Sequence, residues 1–115
     1  MEFKKQKPIY LQIADRLMEQ ILGGEPAEDD RMPSVRDVAA AMGVNPNTVM
    51  RTFEHLQGEE IIYNRRGVGY FVSPDAKKKI LDEQRREFLE EELPLIRQKM
   101  KILGIGPEML GPLSV

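Results

Sequence analysis

The sequence predicts a mainly α-helical fold with one small β-hairpin, followed by a C-terminal two-helix segment. Three observations lead there. Two short amphipathic stretches, Ser34–Met42 and Asn45–Gln57, are joined by a tight turn at Gly43-Val44-Asn45. Two β-rich stretches, Ile61–Asn64 and Gly69–Val72, flank a basic, glycine-bearing tip, Arg65-Arg66-Gly67-Val68. Beyond Leu81, apolar residues recur at heptad-like spacing in a strongly charged background.

The totals bound the problem. A chain of 115 residues has room for one compact domain and an appendage, here 1–73 and 74–115. Hydrophobic content of 41% is near the globular norm. No apolar run approaches the roughly 20 residues that span a bilayer, so no membrane partner is expected. The N-terminal MEFKKQKPIY carries charges without an apolar stretch behind them, so no signal peptide is expected. With no cysteine there is no disulfide, thiolate metal site or thiol nucleophile, which fits a cytoplasmic location. Net charge is −2, and Arg31–Val72 holds five basic residues against four acidic ones. Bulk charge therefore lends no support to a polyanionic partner, although a locally basic face suffices for specific binding.

Taken in order, Met1–Lys7 reads as a loose arm. Pro8 suits the first position of a helix, where a missing N–H costs nothing. Ile9, Ile13, Leu17 and Ile21 then fall four apart, with Ala14, Met18 and Leu22 beside them, an apolar stripe for a core. Gly23-Gly24 ends this helix, and Glu25–Met32 reads as a solvated linker. Ser34 caps the next helix, in a capping-box arrangement with Asp37, and Val35, Val38, Ala39 and Met42 form its buried side. Asn45 caps a third helix, Pro46 takes its first position, and Val44 is placed to staple onto Val49. That helix buries Val49, Phe53 and Leu56, and Gly58 ends it.

Two helices joined over so short a turn must cross steeply. Ala39 is small where the second helix presses on the first. Gly43 is free to take positive φ, and Val49 is the branched core residue beyond it. Small residue, glycine and branched apolar residue at these offsets make up the helix-turn-helix pattern, and the hairpin downstream supplies a wing. Such a unit can lay its second helix in a DNA major groove.

Ser73-Pro74-Asp75 repeats the grammar of a helix start. Lys77–Gly104 is helical in pattern, with a kink or break expected at Pro94. Leu81, Phe88 and Leu95 are seven apart, while Leu89, Leu93, Ile96, Met100 and Leu103 follow a 4, 3, 4, 3 spacing. Leu81, Phe88, Leu89, Leu93, Ile96, Met100 and Leu103 are the candidate dimerisation residues. Homodimerisation would cover them, and packing onto the first helix is the alternative. Pro112–Val115 is expected to fray.

Pro8–Val72 resembles the DNA-binding domain of the GntR family of bacterial transcription regulators. The resemblance rests on Met32-Pro33-Ser34-Val35-Arg36-Asp37-Val38-Ala39, on Val44-Asn45-Pro46-Asn47-Thr48-Val49 and on Gly67-Val68-Gly69-Tyr70-Phe71-Val72. The turn and the short two-helix tail resemble the YtrA-like subfamily, which implies a small dimeric regulator, commonly a repressor. In the wider family arginines commonly stand where this chain has Pro46 and Met50, a departure that shifts base reading toward Asn47 and Arg51. Larger relatives carry a ligand-binding domain after the wing. This tail is too short for one, so an unknown small-molecule effector would bind at the dimer interface or between tail and wing.

The candidate DNA-binding residues are Ser34, Arg36, Asn45, Asn47, Thr48, Arg51, Arg65, Arg66 and Gly67. Ser34 and Thr48 stand at helix N-termini, where free N–H groups favour phosphate. Arg36 resembles the family's DNA-contacting arginine. Asn45 is consumed as a cap. Asn47 can pair with adenine and Arg51 with guanine N7/O6. Arg65 and Arg66 suit backbone or minor groove, with Gly67 shaping the turn; a solvated basic turn is the alternative. Tyr70 and Phe71 read as hairpin core. His55 is the single histidine, a polar-face residue or a peripheral phosphate contact. No metal, cofactor or catalytic constellation is expected. The partners expected are double-stranded operator DNA and a second copy of the chain, with a protein-interaction winged helix lacking a DNA role as the competing reading.

Overall fold

The computed structural model describes residues 7–112 and divides into two compact units, one ending at Asp82 and the other beginning at Glu83. Of the arm expected over Met1–Lys7, residues 1–6 lie outside the described residues, as do residues 113–115 of the stretch Pro112–Val115 expected to fray. The first unit contains α1 (Ile9–Leu22), α2 (Val35–Met42), α3 (Pro46–Gly58), β1 (Ile62–Arg65), β2 (Gly69–Val72) and the start of α4 (Ala76–Glu87).

The three helices form where the caps and periodicities direct them. Ser34 Oγ accepts the Asp37 N–H at 3.1 Å and starts α2, while Asn45 Oδ1 accepts the Asn47 N–H at 2.8 Å and starts α3. Gly43 stops α2 in the left-handed conformation at φ 66°, and the Val44 N–H then bonds the Ala39 carbonyl at 3.1 Å. The core joins Ile13, Ala14, Leu17, Met18 and Ile21 of α1 with Val38 and Ala39 of α2 and Val49, Phe53 and Leu56 of α3. Thr52 also lies on the buried face of α3, and its hydroxyl donates to the Tyr10 carbonyl at 2.7 Å. That bond ties α3 to the first turn of α1.

Two details depart from the sequence reading, at the start of α1 and in the linker, and two at the helix ends sharpen it. Pro8 caps α1 from outside the helix, and the stripe begins at Ile13, because Ile9 is 60% exposed at the open end. Of the Gly23-Gly24 pair that ends α1, it is Gly24 that takes the positive φ, at 90°. Although α3 ends at Gly58, the left-handed conformation falls on Glu60 at φ 61°, where the Ile61 N–H reaches back to the Leu56 carbonyl. The stretch read as a solvated linker contributes an edge to the sheet. Met32 N–H bonds the Tyr70 carbonyl at 2.8 Å, Val72 N–H bonds the Asp30 carbonyl at 2.9 Å, and Arg31 bridges Phe71 antiparallel. Met32 is buried in consequence.

β1 and β2 pair antiparallel with Ile62 opposite Val72 and Arg65 opposite Gly69, so Arg65 belongs to the strand and the turn is Arg66-Gly67-Val68. Alternation sends Ile62, Tyr70 and Val72 inward, where Tyr70 meets Phe53 edge-on at 5.1 Å. Phe71 faces the other way, contrary to the expectation that both aromatics are core, and stacks on Tyr63 at 5.7 Å. Ala76 and Ile80 of α4 are fully buried in the same core, so the first compact unit runs past the Ser73 boundary expected from the sequence.

The second unit holds the end of α4, a π-helical turn over Phe88–Glu92, α5 (Leu93–Leu103) and a 3-10 turn over Pro107–Leu110. In place of a break at Pro94, the widened turn carries the helical path into α5. The Leu93 N–H bonds the Phe88 carbonyl, and Pro94 sits in the first turn of α5. A proline ring clashes with the carbonyl four residues back and offers no N–H, and a π-turn relieves both problems.

Candidate nucleic-acid interface

All nine residues marked for DNA contact belong to the first unit, and eight are exposed; Thr48 is half-buried. At the start of α2, Ser34 caps the helix with its oxygen and keeps its hydroxyl proton for an outside acceptor. Arg36 lies exposed in the first turn above it. At the start of α3, Asn45 spends its carbonyl oxygen on the cap, which leaves its amide N–H groups to donate. Asn47 is exposed as the second residue of α3, and Thr48 bonds back to the Asn45 carbonyl through its N–H at 3.0 Å.

The buried face of α3 is Val49, Thr52, Phe53 and Leu56, each 0% exposed. A helical period therefore turns Asn47, Met50, Arg51 and Glu54 outward. Arg51 leans toward α1, with its guanidinium carbon 4.0 Å above the centre of the Tyr10 ring. His55 meets that ring edge-on with centroids 6.1 Å apart.

The wing is braced by a residue the sequence did not single out. Arg31 Nη2 donates to the Val68 carbonyl at 2.6 Å, and its Nε lies 3.2 Å from where a Cβ at Gly69 would stand, closer than ordinary contact. Gly69 is favoured chiefly by its φ of 139°, and this close approach adds to the cost of a side chain there. The signal was unreadable beforehand because Arg31 and Val68 are 37 residues apart. Arg65 lies over Phe71 at 5.1 Å and extends the Tyr63–Phe71 stack, while Arg66 and Gly67 are exposed at the tip, Gly67 with φ 78°. The cations flank the turn in an ordered way: Arg31 is bonded across it, Arg65 is stacked on one face, and Arg66 points to solvent.

Of the seven tail residues marked for dimerisation, Leu81, Phe88, Leu89, Ile96 and Leu103 are 37–61% exposed, and Leu93 and Met100 are half-buried. The polar face of α4 is laced by Arg86 to Glu83 at 2.6 Å and to Glu90 at 2.8 Å. The Arg86 guanidinium holds the Glu83 carboxyl below the usual carboxylate range. Lys79 is raised above its ordinary value, chiefly by its hydrogen bond to Glu60 with Asp75 adding to it, and it joins α4 to the turn after α3. Among the described residues no helix is long and apolar enough to cross a membrane.

Comparison with known proteins agrees with this geometry. Residues 9–72 match the model of the bacterial regulatory proteins, gntR family. The chain is 38% identical over 107 residues to YhcF of Bacillus subtilis, an uncharacterized HTH-type transcriptional regulator, covering 93% of this chain and 87% of YhcF. It is 34% identical over 104 residues to the HTH-type transcriptional repressor YtrA of the same organism, covering 90% and 74%. A crystal structure of a GntR-family transcriptional regulator from Bacteroides thetaiotaomicron is similar at TM-score 0.76 and 45% identity, covering 90% of this chain and 89% of that one. The likeness to YhcF and YtrA extends beyond the winged domain into the tail, as the sequence reading expected. With its helix-turn-helix, its wing and a family match over most of the first unit, this chain belongs to the gntR family of bacterial transcriptional regulators.

Proposed function

We propose that this chain represses transcription as a cytoplasmic homodimer that reads a near-palindromic operator, with α3 of each copy in a major groove. The observation that carries the reading is the two-sidedness of α3. Its inner face is closed into the core by four fully buried residues, and its outer face holds exposed Asn47 and Arg51 beside a capped N-terminus. Asn47 and Arg51 read bases. Ser34, Arg36, Asn45 and Thr48 hold phosphates at two helix N-termini. Arg65 and Arg66 grip the flanking backbone, and Gly67 lets the chain turn. YtrA, a relative described as a repressor, supports the sign of regulation. The exposed apolar row from Phe88 to Leu103 supports pairing through the tail. No catalytic step is proposed, and any small-molecule effector would bind at the dimer interface.

Selection of bound duplexes from a random pool tests this directly. The expected product is a two-fold symmetric site whose half-sites are one helical turn, or a multiple, apart. Arg51→Ala flattens preference at one base pair per half-site, by on the order of 1–3 kcal/mol of discrimination. Arg66→Ala weakens all sequences alike and reduces the salt dependence. A pool that yields no enriched sequence would overturn the proposal.

A further inference from the structure

We infer that Tyr10 of α1 is a positioning residue that sets the specificity of Arg51, by stacking under its guanidinium and presenting the edge of that group to a guanine. The inference rests on the reading of α3 as the DNA-facing helix. Three residues on one side of α3 converge on Tyr10. The Arg51 guanidinium lies over its ring at 4.0 Å, His55 meets the ring edge-on, and the Thr52 hydroxyl donates to its carbonyl oxygen at 2.7 Å. Thr52 is fully buried, so the backbone of Tyr10 is held to α3 from below while the ring holds Arg51 from the side.

The chemistry of the stack decides what it is for. A cation over an aromatic face is attracted by the ring's quadrupole and uses the face of the guanidinium. The N–H groups lie in the guanidinium plane and remain free to donate in pairs. Guanine offers two adjacent acceptors, N7 and O6, in the major groove, which match that fork. An exposed arginine without such support must give up rotamer freedom when it binds. Among the described residues Arg51 has no carboxylate partner, so its charge is left for a ligand. One arginine stands on this outward face of α3, and α1 supplies the surface that aims it.

The test uses the full chain with Tyr10→Phe, Tyr10→Leu, Tyr10→Met, Arg51→Ala and the Tyr10→Leu/Arg51→Ala double variant. Each is measured against the duplex selected by the parent protein and against its single-base variants. Tyr10→Phe keeps the ring and stays within about twofold of the parent. Tyr10→Leu loses about fivefold in discrimination at the base pair that Arg51→Ala flattens, and the double variant is no worse than Arg51→Ala. Tyr10→Met guards against a folding defect, since it fills space beside His55 and Thr52 without a ring, and it loses the same discrimination. In the free protein, the δ-methylene protons of Arg51 are shifted upfield by the ring in the parent and in Tyr10→Phe, and return in Tyr10→Leu and Tyr10→Met. Additive loss in the double variant overturns the inference, as does Tyr10→Phe behaving like Tyr10→Leu. Uniform weakening of every sequence would direct Arg51 to phosphate and also overturn it. An unchanged preference in Arg51→Ala removes this inference while leaving the DNA reading intact, whereas a parent protein that enriches no sequence removes both.

Discussion

At the scale of single residues, the site depends on positions whose role is conformational. Gly43 turns the chain between α2 and α3 at φ 66°, and a Cβ there would meet nothing within 4 Å. The cost of any side chain is therefore that of the left-handed backbone alone. Gly43→Ala is expected to lower stability by about 1–2 kcal/mol, and Gly43→Asn by less, since asparagine tolerates this region; urea unfolding of both variants checks the order. Glu60 occupies the same region after α3 with a side chain in place, and its carboxylate bonds Lys79 at 3.1 Å. Arg31 and Thr52 are further examples of one residue joining distant parts. Each satisfies a backbone carbonyl far away in sequence, and neither has a local pattern that announces it.

Among the elements, the π-turn between α4 and α5 is the one that local rules describe incompletely. Pro94 announces a disturbance, and the widened turn is how the helical path absorbs it. Because that turn holds more residues per revolution than an α-turn, it resets the phase between Phe88-Leu89 and the Ile96–Met100–Leu103 row, so a single heptad seam is not continuous through it. The charged face of the same segment carries a pH dependence with a definite sign. Arg86 lowers the carboxyl of Glu83 in the folded helix, so this pairing stabilises the helix above the ordinary carboxylate range and is lost as pH falls through the lowered value. Helicity monitored by circular dichroism should fall at acid pH in the parent and change less in Glu83→Gln. The difference should shrink at high salt, because these groups are largely solvated.

For the whole molecule, the two units differ in how much apolar surface each buries. The first is closed by a core into which the start of α4 inserts Ala76 and Ile80. The second, over its described residues, has no buried residue in α5 and exposes Ile96 at 44% and Leu103 at 61%. Under the proposed pairing, Ile96→Asp together with Leu103→Asp yields a monomer by sedimentation equilibrium. Affinity for a two-half-site duplex then falls toward that for a single half-site, because the gain from linking two binding events is lost. A mass that stays at twice the chain would place the interface elsewhere.

What the sequence alone determined was whatever short-range chemistry dictates. The caps at Ser34 and Asn45, the stop at Gly43, the apolar faces of α1 to α3 and the hairpin all follow from hydrogen bonds and periodicities within a few residues. The family pattern in the same stretch identified the regulator. Tertiary structure decided the rest. It made a sheet edge of the presumed linker, turned Phe71 outward and laid Arg31 across the wing. It also set Arg51 on Tyr10, joining residues 41 positions apart through neighbours bonded across 42. Such contacts depend on how helices cross and strands twist, and no local pattern encodes them. The stretch from Ser34 to Val72 therefore declares a DNA reader, and the packing of α1 against α3 decides how that reader holds its arginine.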